Sequence, residues 1–158
     1  MIGEPIYYRR NCKYSISRQW EGDLNLWKPF PKMEYDVLSD FAYLSKDGLL
    51  KIYFAFPSDG PSGPTWDDPT NLRTAFIHDA LCKFIREGLL PESYRPYVDE
   101  LLELIGIDDG MSCGRAELYH FGVVELSDGT YAKKGYEPYP EQVAPYGPIE
   151  RPDYPKGE

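Results

Sequence analysis

Between Pro57 and Pro69 the chain reads PSDGPSGPTWDDP, and four prolines with two glycines in so short a stretch exclude helix and strand alike and leave a structured loop. That loop divides the chain. Through about Ala55, Tyr, Ile, Phe and Leu come in short runs broken by Gly, Pro and Asp, as strands and turns do. Beyond it the apolar residues recur at helical spacing. The expected class is therefore α+β: an N-terminal β-hairpin or small antiparallel sheet packed on about three α-helices.

The clearest strand signal is a hairpin. Phe41 to Leu44 and Leu49 to Phe56 flank Lys46-Asp47-Gly48, and an Asp-Gly pair suits a tight turn because glycine accepts positive φ. Asp68 followed by Pro69 makes a helix start, so a first helix is expected from about Pro69 to Arg86, stopping at Gly88. Leu72, Phe76, Ile77, Leu81, Phe84 and Ile85 give it a wide buried stripe. Val98, Leu101, Leu102 and Ile105 predict a second helix that ends at Gly106, with Asp99 at the edge of its apolar face. Asp108-Asp109-Gly110 reads as a turn, and Ser112 as the cap of a third helix through about Leu126.

After Tyr131 the composition shifts to proline, tyrosine, glutamate and glycine, too proline-rich for a helix or a central strand and suited to an extended, polyproline-like arm. The expected organisation is one domain over residues 1–130 and an arm over 131–158. The length fits one hydrophobic core. Tyr136, Tyr139, Tyr146 and Tyr154 would give the arm amphipathic rings to lay against a surface.

A formal net charge of −9 argues against a domain that holds nucleic acid or an anionic membrane by general electrostatics. No stretch approaches the roughly 20 apolar residues of a membrane span, and Met1 to Arg10 lack the apolar core of a secretory signal. A cytoplasm, or a particle assembled there, is the expected location. Cys12, Cys82 and Cys113 are odd in number and widely spaced, so they read as free thiols, and with only His78 and His120 as imidazoles a closed zinc site is not expected.

Four residues stand out for chemistry: Asp59 in the loop, His78 and Asp79 on the first helix, Asp99 on the second. Neighbours on a helix point about 100° apart, so His78 and Asp79 address two sides of one cleft, as a histidine acting on water beside a cation-binding carboxylate requires. Each residue also has a plain structural reading. His78 suits a core histidine bonded to Asp99 or Asp59. Asp79 with Lys83 suits a surface pair, Asp59 beside Gly60 suits a turn, and Cys82 suits a small buried hydrophobe.

Taken in order, SDGPSGPTW, FIHDALCKFIREGLLP, YVDELLEL and DDGMS followed by RA resemble the phage and prophage domain-of-unknown-function family 1353 over about Met33 to Leu126. The layout also resembles the short viral phospholipase A2 domains. That second resemblance implies His78 as general base, Asp99 as the group orienting it, and Asp79 with Asp59, Gly60 and Gly63 around a calcium ion. The sequence departs from both patterns in having Cys82 where a tyrosine is usual, four residues after His78, and from the first in having Pro61 in place of alanine.

Two functions of different class follow. One is a structural or binding component of a phage particle, in its tail or infection apparatus, with the arm as a strap onto other phage structural proteins. The other is a calcium-assisted hydrolase of envelope ester or amide bonds using His78, Asp79 and Asp99. Beside these two stands a factor that sequesters a host small molecule in the loop–helix cleft.

Overall fold

The computed structural model describes residues 2–10, 14–58, 69–112 and 141–144. Among the described residues, eight strands form two antiparallel sheets. The first contains β1 (Ile6–Arg10), β2 (Tyr14–Ile16), β7 (Pro57–Ser58) and β8 (Glu141–Ala144) in the order β7-β2-β1-β8. The second contains β3 (Trp20–Asp23), β4 (Val37–Ser39), β5 (Ala42–Leu44) and β6 (Leu49–Ile52) in the order β3-β6-β5-β4. The described residues also form two α-helices, α1 (Pro69–Arg86) and α2 (Arg95–Asp108), which lie between β7 and β8 in the chain, with single 3-10 turns at Leu24–Leu26 and Glu92–Tyr94. The α+β class stands.

The second sheet follows from period-two alternation. Ala42 pairs with Ile52 and Leu44 with Leu50, and all four are buried, while Tyr43 and Lys51 between them lie toward the other face. Gly48 closes the expected β5–β6 turn at a φ of +106°, and an added Cβ there would come within 2.8 Å of Phe30. In β3, Gly22 lets the ring of Trp20 lie across it, since a Cβ would stand 2.4 Å from that ring.

The helix α1 has the bounds its sequence predicts. Gly88 turns left-handed at φ +77° and donates to the Ile85 carbonyl, while Leu89 donates to that of Phe84, which satisfies carbonyls the helix leaves open. Its surroundings differ from the expected single stripe, because every residue from Asn71 to Phe84 is buried. Phe76 meets Tyr8 of β1 on one side, and the Thr74 hydroxyl donates to the Leu102 carbonyl of α2 on another. A helix so enclosed must find a partner for each polar side chain it carries.

Three expectations need correction. Pro57 and Ser58, expected in the irregular loop, form the short strand β7, which pairs with β2 at the edge of its sheet, where a proline is tolerated. The helix α2 runs through Gly106 to Asp108, because the missing Cβ at Gly106 admits Met111, and the chain turns only at Asp109 and Gly110, the latter at φ +109°. The arm is not wholly separate from the domain, since Glu141–Ala144, bracketed in sequence by Pro140 and Pro145, pairs with β1 as an edge strand. The expected third helix, the remaining arm with its four tyrosines, Cys12, Cys113 and His120 lie outside the described residues. Among the described residues, no helix is long and apolar enough to cross a membrane.

Candidate functional site

Two helices that cross side by side bring His78 and Asp99 together. Nε2 of His78 lies 2.7 Å from Oδ1 of Asp99, and both side chains are buried. One turn before Asp99 on α2, Arg95 donates through Nε to both carboxylate oxygens, at 3.0 and 3.2 Å. Burial pushes the Asp99 carboxyl up, but the hydrogen bond and charge of His78, followed by those of Arg95, outweigh it and hold the group below its ordinary range. Asp99 is thus an ionised acceptor clamped between an imidazole and a guanidinium.

Asp79 faces elsewhere, as the 100° step between helix neighbours requires. Its Oδ2 accepts from the Ser58 hydroxyl at 2.5 Å, which ties α1 to β7 where the chain enters the 57–69 loop. Asp79 and Lys83 are both buried, so neither lies on the solvent-facing surface that a surface pair requires, and Lys83 also forms an ion pair with Glu87. Of the residues expected around calcium, Asp79 alone is described, because Asp59, Gly60 and Gly63 lie outside the described residues, as does Pro61. Among the described residues no group of three or more histidines, cysteines and acids comes together as a metal site.

Cys82 occupies the position one turn beyond His78. Its Sγ is 3.7 Å from Nδ1 and 3.6 Å from Nε2, and near-equal distances to both nitrogens place the sulfur across the ring rather than in line with either lone pair. Burial pushes the thiol up to about 12. A thiol held there is neither deprotonated at neutral pH nor aimed for proton transfer, so it fills space as its apolar neighbours suggest.

A second polar cluster on α1 was not anticipated. Arg73, fully buried, donates to both oxygens of Asp109 at 3.0 and 2.7 Å, to Asp108 at 3.2 Å, and to the carbonyls of Ile2 and Glu4. Its guanidinium also lies 5.2 Å from the ring centre of Trp27. Burial, only partly offset by Arg73, raises the Asp109 carboxyl to about 6. The cluster ties the N-terminal segment to the end of α2. Its signal in the sequence was an arginine set among α1's apolar positions, with an acidic pair that also makes a plausible turn.

The chain matches no family model, no curated protein and no solved structure.

Proposed function

We propose that the chain is a structural or binding component of a phage-type particle, with the strands and the α1–α2 pair as scaffold and the C-terminal arm as a strap onto other structural proteins. The observation that carries this reading is the state of the dyad. His78 and Asp99 are buried, Arg95 already neutralises the carboxylate, and a protonated thiol lies against the imidazole. A histidine so placed works as a cross-link between helices rather than as a base facing water. The phage context rests on the four ordered motifs and their resemblance to family 1353. Mass spectrometry of purified particles from cells that encode the chain is expected to detect it at a fixed ratio to the other structural proteins. Its absence from the particles, with abundant free protein in the lysate, would defeat the proposal.

A second reading has one observation in its favour. The imidazole meets a distant carboxylate through Nε2, while the adjacent Asp79 turns to the base of the glycine-proline loop. That division suits a hydrolase in which His78 activates water, Asp99 orients it, and Asp79 with Asp59, Gly60 and Gly63 would hold calcium, which when bound polarises the scissile carbonyl. Calcium-dependent release of fatty acid from phospholipid vesicles, lost in His78→Asn, is the result this reading requires. No turnover at millimolar calcium removes it.

A further inference from the structure

Among the described residues β4 is the outermost strand of its sheet, paired with β5 along one edge. Alternation decides what its other edge offers. The Phe41 carbonyl accepts from Tyr53 and the Ser45 N–H donates to Leu49, so Ala42 and Leu44 between them turn their backbone groups the opposite way, to Ser39 and Val37. Leu38 therefore directs its N–H and C=O outward, where a further strand would bond them.

The two faces beside that edge differ in chemistry. On one, Val37 meets Met33, Leu89 and Tyr94 around a groove of about 260 Å³, below the ~300–1,000 Å³ of clefts that enclose a drug-sized ligand and suited to a few apolar side chains. Its floor is fixed, because the Tyr94 hydroxyl donates to the Pro31 carbonyl at 2.7 Å and its ring packs on Phe30, while Tyr35, 75% exposed, stands at the lip. On the other face Leu38 lies opposite Tyr43 and is 64% exposed. Asp36 shares that face, since its carboxylate accepts from the Tyr43 hydroxyl at 2.8 Å, and Asp40, also exposed, follows Leu38 at the same two-residue spacing. Two carboxylates thus flank one exposed leucine. The stretch 32–40 carries Glu34, Asp36 and Asp40 against Lys32, with Lys46 close to Asp36, so the edge keeps an acidic surplus.

We propose that β4 takes up an extended segment of another protein as an added strand. That segment is apolar on the side entering the groove, and on the side meeting Leu38 it carries an apolar residue between two cations. A second copy of this chain is the poorer occupant. Antiparallel pairing of two β4 strands about Leu38 sets Asp36 of each against Asp40 of the other, and like charges directly opposite are destabilising. Arginine or lysine at those positions turns both contacts into attraction. The inference stands apart from the particle reading, since peptide capture at β4 and presence in a particle can each fail alone.

The probe is a fluorescein-labelled heptapeptide, Val-Arg-Val-Leu-Val-Arg-Val, titrated with the full chain and followed by fluorescence anisotropy. Saturable binding at one site is expected. Glutamate in place of both arginines weakens it about tenfold, and N-methylation of the central leucine, which removes the N–H that reaches the Leu38 carbonyl, also weakens it about tenfold. Leu38→Pro removes the outward N–H at an edge where proline is tolerated and has the same effect, whereas Phe54→Asp, at an exposed aromatic elsewhere, leaves the affinity unchanged. The N-methylated peptide keeps the test decisive whether or not Leu38→Pro folds. No saturation at millimolar peptide, or equal binding of the arginine, glutamate and N-methylated peptides, overturns the proposal. A dimer of the free chain that Leu38→Pro dissolves also overturns it, because the edge then belongs to a second copy.

Discussion

At the scale of single residues, the environment of each carboxylate decides its role. Asp99 and Asp109 are both buried against a guanidinium, yet their carboxyls move in opposite directions. Asp99 has a second partner in His78, whereas Asp109 shares Arg73 with Asp108 and two backbone carbonyls. The lowered Asp99 stabilises the fold above its unfolded value of about 3.9, and that contribution is lost only as pH falls through the still lower folded value. Asp99→Ala is expected to cost about 3 kcal/mol at neutral pH in urea unfolding, since it strands a buried imidazole and an arginine. Asp109 has the opposite sign. Its folded form holds a proton that its unfolded form releases near pH 4, so its stabilising contribution is lost as pH rises from about 4 to about 6. Asp109→Asn, which keeps the neutral form at every pH, should therefore gain on the wild type across that interval by up to roughly 3 kcal/mol. A difference between the two proteins that stays flat from pH 4 to 6 contradicts this assignment.

At the scale of elements, local rules read from the sequence hold where they are decided locally. The bounds of α1 follow from Pro69 and Gly88, and the β5–β6 hairpin follows from Asp47-Gly48 between alternating apolar residues. Gly48→Ala is expected to lower stability by about 1–2 kcal/mol, through strain at a positive φ and contact with Phe30, seen as a reduced urea midpoint at unchanged slope. What was not legible depended on packing. The apolar stripe of α1 indicates one buried face, but nothing local to Arg73, Thr74, His78 or Lys83 says that the opposite face is enclosed too. Likewise Gly106 looks like a helix stop until Met111 is seen to rest on it. The meeting of His78 and Asp99 was half legible, since the sequence offered Asp99 or Asp59 as partner of a core histidine, whereas Arg95 and Ser58 were missed, because an i, i+4 arginine and a strand serine are ordinary in any sequence.

At the scale of the molecule, α1 is the hub. Asp79 ties it to β7, Arg73 to the N-terminal segment and the end of α2, and His78 to the middle of α2. The strand β8 closes one edge of the first sheet from far along the chain, a pairing that composition hides because only four residues between two prolines take part. The central claim is that the buried dyad joins the helices as a structural element. A double-mutant cycle in urea unfolding with His78→Gln, Asp99→Asn and the two combined tests it most directly. The account predicts a coupling energy of about 2 kcal/mol between the two positions. Effects that add to within about 0.5 kcal/mol would mean that the imidazole and the carboxylate do not hold each other, and would contradict it.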